Sequence, residues 1–398
     1  MKNYSLTLCL EINNTSYIFF VTQNDDKNNF KIVYSLETPL IGIENNRITD
    51  LEKIFDVIKK NVYIAEQKLN CTFKEVVLIL DNFNPSFVNL TGYKKLNGSQ
   101  ILRENITYIL NTLKSCVDET ELKKTVLHIF NSKFSLDNKK IKNLPIGLFG
   151  DFYSHELSFT LINTNDYKNL KQIFDKSNLK IKKILLKSFI LGVYLSDDNP
   201  DIDTFFHIEI RENNSKIIFF ENNSLKFSQE FNFGSNIIIK DISKITALEK
   251  NVVKEILNNN DFNDSSTNEE IINKEIFRDS SNRKIKKKII YEIILARVEE
   301  ISNIIIFKNI NLKHYLNSGK VMFFQLNDKL QFKSLSEVYK NIFSINTNID
   351  LKFLNEMPDD IKLSKVNKLV HYGWEKEAIP IAQSKKSVIT RLFEAIFG

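Results

Sequence analysis

Apolar and polar residues alternate over 5–11, 16–22 and 30–36, which predicts three strands separated by turns at Asn13 and Asn14 and at 24–26. The period then changes. Leu51, Ile54, Phe55, Ile58, Val62, Ala65 and Leu69 fall on one helical face, with Thr49 or Asp50 placed to cap it. Residues 76–80 (Val-Val-Leu-Ile-Leu) are uninterrupted apolar, the pattern of a parallel strand covered on both faces. The same β-β-β-α-β order returns in the second half: strands at 205–210, 216–220 and 225–231, then a helix over 242–257. The copies open alike. Glu11-Ile12 runs through an Asn turn into Ile18-Phe19-Phe20, and Glu209-Ile210 runs through an Asn turn into Ile217-Ile218-Phe219-Phe220.

Two related halves, each a sheet with flanking helices, predict an α/β chain with the actin-like (ribonuclease H-like, duplicated) two-lobed fold. The expected boundaries are 1–84 with 163–200 for the first lobe and 201–240 with 303–372 for the second. A small α+β unit is inserted at 85–162, with strands near 86–90, 126–134 and 155–162 and a helix over 99–117. Residues 241–302 form a further subdomain. They include an Asn-, Ser- and Asp-rich stretch, 258–282, that reads as a mobile loop, and a helix from about 284 to 302. Residues 373–387 read as a linker.

The last segment, 388–398, has its own pattern. Val388, Ile389, Leu392, Phe393, Ile396 and Phe397 gather on one helical face, with Lys385, Lys386 and Arg391 at its start or flank. A helix this short is about 20 Å long, and a hydrocarbon core is about 30 Å thick. The pattern therefore predicts a helix that lies in a membrane interface, basic groups near anionic phosphates.

Composition narrows the rest. At 398 residues with 42% hydrophobic content, the chain can bury large cores. A net charge of +6 suits an anionic surface but is not the concentrated basicity of a nucleic-acid binder. Cys9, Cys71 and Cys116 are scattered and odd in number, which fits reduced thiols in a cytoplasm. Met1-Lys-Asn-Tyr-Ser leads directly into a strand, with no signal-peptide pattern. His128, His155, His207, His314 and His371 show no metal-ligand spacing, and no catalytic triad or dyad can be assembled, so neither catalytic nor metal residues are expected.

Several stretches resemble the FtsA family of actin-like cell-division proteins. They are 126–148, ending in Leu-Pro-Ile-Gly-Leu; 166–195, with Leu179-Lys-Ile inside it; His371-Tyr372-Gly373; and the amphipathic terminus itself. The position of the insert matches that family's 1C subdomain. The resemblance implies subdomains 1A, 1C, 2A and 2B, ATP with Mg²⁺ between the lobes, and self-association through the insert. It also implies recruitment of the FtsZ filament at 2B, contacts with other division proteins, and a peripheral place on the inner membrane's cytoplasmic face at the division site. Candidate FtsZ-contacting residues on the helix near 284–302 are Arg283, Lys287, Tyr291 and Arg297. The alternatives are an actin-fold ATPase or phosphotransferase and a PilM-like pilus or secretion adaptor.

The nucleotide loops depart from the family. Actin-like sites wrap phosphates with Gly-rich hairpins because backbone N–H groups must come close. Here the first hairpin is Glu11-Ile12-Asn13-Asn14-Thr15 and the second is Glu209-Ile210-Arg211-Glu212-Asn213-Asn214. By resemblance the nucleotide positions are Glu11, Asn13, Asn14, Thr15, Glu209, Asn213 and Asn214. The adenosine loop falls near 323–326, and Leu295 replaces an expected acid. Lost glycines and added side chains predict a non-enzymatic scaffold whose nucleotide site is closed or empty.

Overall fold

A computed structural model describes residues 5–24, 30–81, 83–260, 262, 270–272, 284–319, 321–327, 335–346 and 349–378. The membrane-helix residues Lys385, Lys386, Val388, Ile389, Arg391, Leu392, Phe393, Ile396 and Phe397, and Arg283, lie outside the described residues.

The alternating segments form β1 (Ser5–Ile12), β2 (Ser16–Asn24) and β3 (Phe30–Pro39), paired antiparallel in sequence. A short ladder, β4 (Ile43–Glu44) with β5 (Arg47–Ile48), turns on Asn45 and Asn46. Both have positive φ (49° and 62°), which Asn tolerates and hairpin turns require. Helix α1 (Leu51–Leu69) starts where Asp50 Oδ1 accepts from the Lys53 amide at 3.1 Å; Ile54, Ile58, Val62 and Ala65 are its buried face. It ends on left-handed Asn70, and the chain then runs through β6 (Glu75–Leu80), parallel to β1.

A second sheet follows, built from β7 (Ser86–Lys95), β8 (Lys124–Leu136), β9 (Lys139–Ile141) and β10 (Phe152–Asn163), with α2 (Arg103–Thr120) between β7 and β8. Its order is β7-β10-β8-β9, and its core joins Leu110 and Val117 of α2 to Val126, Ile129, Leu157, Phe159 and Leu161. The chain returns through α3 (Thr164–Lys176), β11 (Lys180–Leu186) and α4 (Lys187–Asp198). The first sheet is thus ordered β11-β6-β1-β2-β3.

The third sheet repeats that order. Strands β12 (Phe205–Arg211), β13 (Ser215–Glu221) and β14 (Ser224–Phe231) are joined by turns too short for anything but antiparallel pairing. Helices α5 (Asn236–Thr246), α6 (Lys250–Asn259) and α7 (Lys287–Ser302) precede β15 (Val321–Asn327); α8 (Leu335–Asn346) leads to β16 (Asp350–Leu354). The sheet reads β14-β13-β12-β15-β16, with β12, β15 and β16 parallel. Three consecutive antiparallel strands plus two parallel ones, twice in one chain, is the duplicated ribonuclease H-like sheet of the actin-like fold.

The described residues sort into two compact units. One comprises those of Met1–Asp203, Phe220–Phe227 and Met357–Gly398, the other those of Thr204–Phe219 and Ser228–Glu356. Several expectations change. Helix α9 (Asp359–His371), expected in the second lobe, groups with the first unit, where Asn24 Nδ2 donates to Asn367 Oδ1 at 2.6 Å. The helix expected over 242–257 is two helices, broken where Ala247 turns left-handed (φ 51°). The stretch expected as an adenosine loop, 323–326, lies inside β15, with Phe323 and Phe324 buried.

The linker expected from 373 is not a tether at its start. The Asn131 amide donates to Lys376 O (2.6 Å) and the Ala378 amide to Ile129 O (2.7 Å), so 376–378 line the edge of β8. Trp374 Nε1 donates to Asn223 O at 2.8 Å.

Candidate functional site

In the first unit, the β1–β2 turn is closed by its own side chain. Asn13 Oδ1 accepts from the backbone amides of Thr15 (2.8 Å) and Ser16 (2.7 Å) and from Thr15 Oγ1 (3.2 Å). This is an Asx turn, in which the carboxamide oxygen sits where a bound anion would collect the same N–H groups. Just before the turn, the Glu11 side chain is 1% exposed. Its Oε1 lies 3.0 Å from Lys187 Nζ at the start of α4, and its Oε2 pairs with Lys362 Nζ on α9. Lys187 also lies 3.4 Å from Asp81 Oδ2, at the end of β6, and Lys362 lies 2.6 Å from Asp359 Oδ1. The ring of Phe20 stands 5.2 Å from the same Lys362 ammonium.

Sequence reading placed Glu11, Asn13, Asn14 and Thr15 together, and they are together. It missed Asp81, Lys187 and Lys362, which come from the ends of β6, α4 and α9. Oxygen-rich cation sites need carboxylate charge that is not already spent. Here two buried carboxylates meet two ammonium groups, a donor set that does not fit a magnesium-bound phosphate.

In the second unit, the β12–β13 turn is closed by backbone. The Arg211 amide donates to Asn214 O (2.9 Å), the Ser235 amide to Arg211 O (3.0 Å) and the Asn236 amide to Glu212 O (2.9 Å). The amides leading into α5 are therefore given to the hairpin rather than held for an anion. Gly234 makes this approach possible, since a Cβ there would lie 2.0 Å from Arg211 O. Glu209 is held by Arg211 through Nε (2.8 Å) and Nη2 (2.9 Å), in a bidentate pair. Asn213 Oδ1 accepts from Asn236 Nδ2 (2.9 Å), and Asn214 Nδ2 donates to Glu230 Oε1 (2.7 Å).

Of the candidate filament-contacting residues, the described three, Lys287, Tyr291 and Arg297, are not free on the surface of α7. Tyr291 is buried, Lys287 Nζ lies 2.7 Å from Glu270 Oε2, and Arg297 is spent on Asp241 and on Glu300 (2.7 Å). Helical periodicity alone could not show which side of α7 faces the core.

A further buried cluster holds the C-terminal strap. Glu377, 2% exposed, pairs with His128 Nδ1 (2.9 Å) and Lys183 Nζ (3.1 Å), and Lys183 also donates to Leu369 O (2.9 Å). Burial raises the Glu377 carboxyl, but the Lys183 charge and the His128 contact outweigh it and bring it down to about 2. Among the described residues no group of His, Cys, Asp and Glu could hold a metal ion. No helix of the described residues is long and apolar enough to cross a membrane.

The duplicated sheet and its paired hairpins define an actin-like protein. A solved PilM–PilN type IV pilus biogenesis complex matches the fold with a TM-score of 0.51, covering 92% of this chain and 98% of that one at 9% identity. No protein-family profile matches the chain. Among curated proteins, the cell division protein FtsA of Buchnera aphidicola from Schizaphis graminum is 25% identical over 244 residues, 61% of this chain and 57% of that protein. The match thus spans little more than half of that relative's length. FtsA of Escherichia coli K12 is 19% identical over 367 residues, 88% of this chain and 86% of the relative. The chain is thus similar to FtsA proteins over most of its length.

Proposed function

We propose that this chain is a non-enzymatic cell-division scaffold that works on the cytoplasmic face of the inner membrane, where it joins the FtsZ filament to the lipid surface. The observation that carries this reading is the likeness to FtsA across 88% of the chain, on a duplicated actin-like sheet with a separate inserted sheet. The amphipathic pattern of 388–398 supports the membrane step. Six large apolar side chains supply adsorption, and Lys385, Lys386 and Arg391 add roughly 1 kcal/mol each near anionic lipid. One such helix binds reversibly, and self-association through the inserted sheet would multiply weak anchors into firm attachment. The spent charges of Lys287 and Arg297 move the proposed filament contact away from those two side chains.

Sedimentation with anionic liposomes, with and without purified FtsZ, tests the proposal. The wild-type chain should pellet with vesicles and carry FtsZ down with it. Leu392→Glu or Phe393→Glu should leave the chain in the supernatant. Equal sedimentation of these variants would remove the anchor, and failure to carry FtsZ would remove the filament role.

A further inference from the structure

The first hairpin is self-occupied. We propose that Lys362 and Lys187 are built-in counter-charges standing where a divalent cation would be needed, and that Asn13 supplies the oxygen a phosphate would bring. The half-site is then a permanent clamp that fastens α9 to the end of β1. This inference rests on the geometry of the first unit and not on the membrane or filament reading.

Three observations carry it. Glu11, Asp81 and Lys362 are all at least nine-tenths buried, at 1%, 5% and 5% exposure. Charges so buried must be matched, and here the two buried carboxylates, Glu11 and Asp81, face two ammonium groups, while Asp359, which also contacts Lys362, is 55% exposed and keeps its water. Lys362 is also covalently part of the chain. A dissolved ion pays translational entropy to enter, whereas the ammonium is already in place. Finally, the Thr15 and Ser16 amides are taken by Asn13 Oδ1, so an incoming anion meets an oxygen rather than donors. The clamp spans 351 residues of sequence, so it ties α9 to β1.

Removing the Lys362 charge should convert the clamp into a cation site. Glu11, Asp81 and Asp359 would then have one ammonium group fewer, an excess of negative charge that a divalent ion matches. The experiment compares the melting temperature of the purified full chain with that of Lys362→Met, each with and without manganese chloride and with and without magnesium ATP. Wild type should respond to neither. Lys362→Met should melt roughly 5–10 °C lower and recover part of that loss in manganese. Lys362→Arg, which keeps the charge, should melt near wild type and ignore manganese. Should Lys362→Met fail to fold, Glu11→Gln with Lys362→Met strands neither charge, and its recovery of a folded chain would support the clamp. A rise in wild-type melting temperature with magnesium ATP would overturn the proposal. So would an equal manganese response in wild type and Lys362→Met, or a double variant that also fails to fold.

Discussion

Glu11 near the end of β1 and Glu209 near the end of β12 hold corresponding places in two sheets of the same strand order, yet their charges are settled at very different range. Glu209 is neutralised by Arg211, two residues on, across the same strand end. Glu11 is neutralised by Lys362 from α9, 351 residues away, and by Lys187 from α4. The first unit repeats this long-range solution at Glu377, whose partners Lys183 and His128 lie 194 and 249 residues distant. A local pair can be exchanged without moving another element. A long-range pair is a tie between elements, and both ties of the first unit hold segments that follow residue 357.

The ties should therefore dominate any set of charge deletions. Glu377→Ala leaves Lys183, 3% exposed, without its carboxylate and removes the partner of buried His128. Stranding a buried charge costs about 3–5 kcal/mol, so urea unfolding of this variant should show a midpoint far below wild type. The strap should also exchange faster at the amides of 376–378, and a normal midpoint would show the tie to be ornamental.

Acid separates the two units next. His155 is buried with Nε2 3.0 Å from Asn131 Oδ1, and burial holds its pKa down at about 3. His207 is buried in the second sheet with Nε2 3.2 Å from Gln325 Oε1, and burial brings it to about 4. An unfolded His takes up its proton near pH 6.5, so each folded neutral imidazole stabilises the chain fully above that value. The contribution is lost as pH falls toward the folded pKa, at up to about 1.4 kcal/mol per pH unit per histidine. Glu377 acts only in the first unit. Its carboxyl at about 2 against an ordinary value of 4.5 stabilises above about pH 4.5 and is lost as pH falls through 2. Protection against hydrogen exchange should thus weaken in both units from pH 6.5 downward and more steeply in the first below 4.5. His155→Phe should flatten the first slope.

The turns themselves come third. Asn13→Ala removes an acceptor shared by two backbone amides, and nearby water can replace it in part. The expected loss is about 1 kcal/mol. Chemical denaturation of Asn13→Ala beside Asn13→Asp, which keeps the oxygen, would isolate the Asx contact.

What the sequence showed was whatever repeats at short range. The two hairpins, the face of α1 and the buried strand β6 follow from period and turn chemistry, and the duplicated order follows from those. Ala247 hid its helix break because alanine favours helix, and only a positive φ reveals it. The apolar run of β15 reads as a strand, and only its resemblance to the place of a glycine motif, absent here, suggests a loop. Lys362 carries no local signal at all: a lysine on a helix is ordinarily a solvated charge, and its partner is set by tertiary packing. The same holds for Glu377, in a stretch whose composition resembles a linker. In the second hairpin the Glu209–Arg211 spacing was in view, but its meaning depends on the backbone that Gly234 lets close over it.

That local pair gives the smallest expected effect. The Arg211 side chain is 23% exposed and Glu209 is 10% exposed, so solvent screens the pair more than it screens Glu11. Arg211→Ala removes both bidentate contacts but leaves in place the Arg211 amide to Asn214 O bond and the Ser235 amide to Arg211 O bond, because both are main-chain. The turn should keep its shape. Partly exposed ion pairs contribute roughly 0.2–1 kcal/mol, and the loss should lie in that range. Raised salt should shrink the difference from wild type further, while leaving the cost of Glu377→Ala nearly unchanged, since buried charge is screened far less. If Arg211→Ala instead costs as much as Glu377→Ala, the second hairpin is a tie as well, and range in sequence would not be what distinguishes the two units.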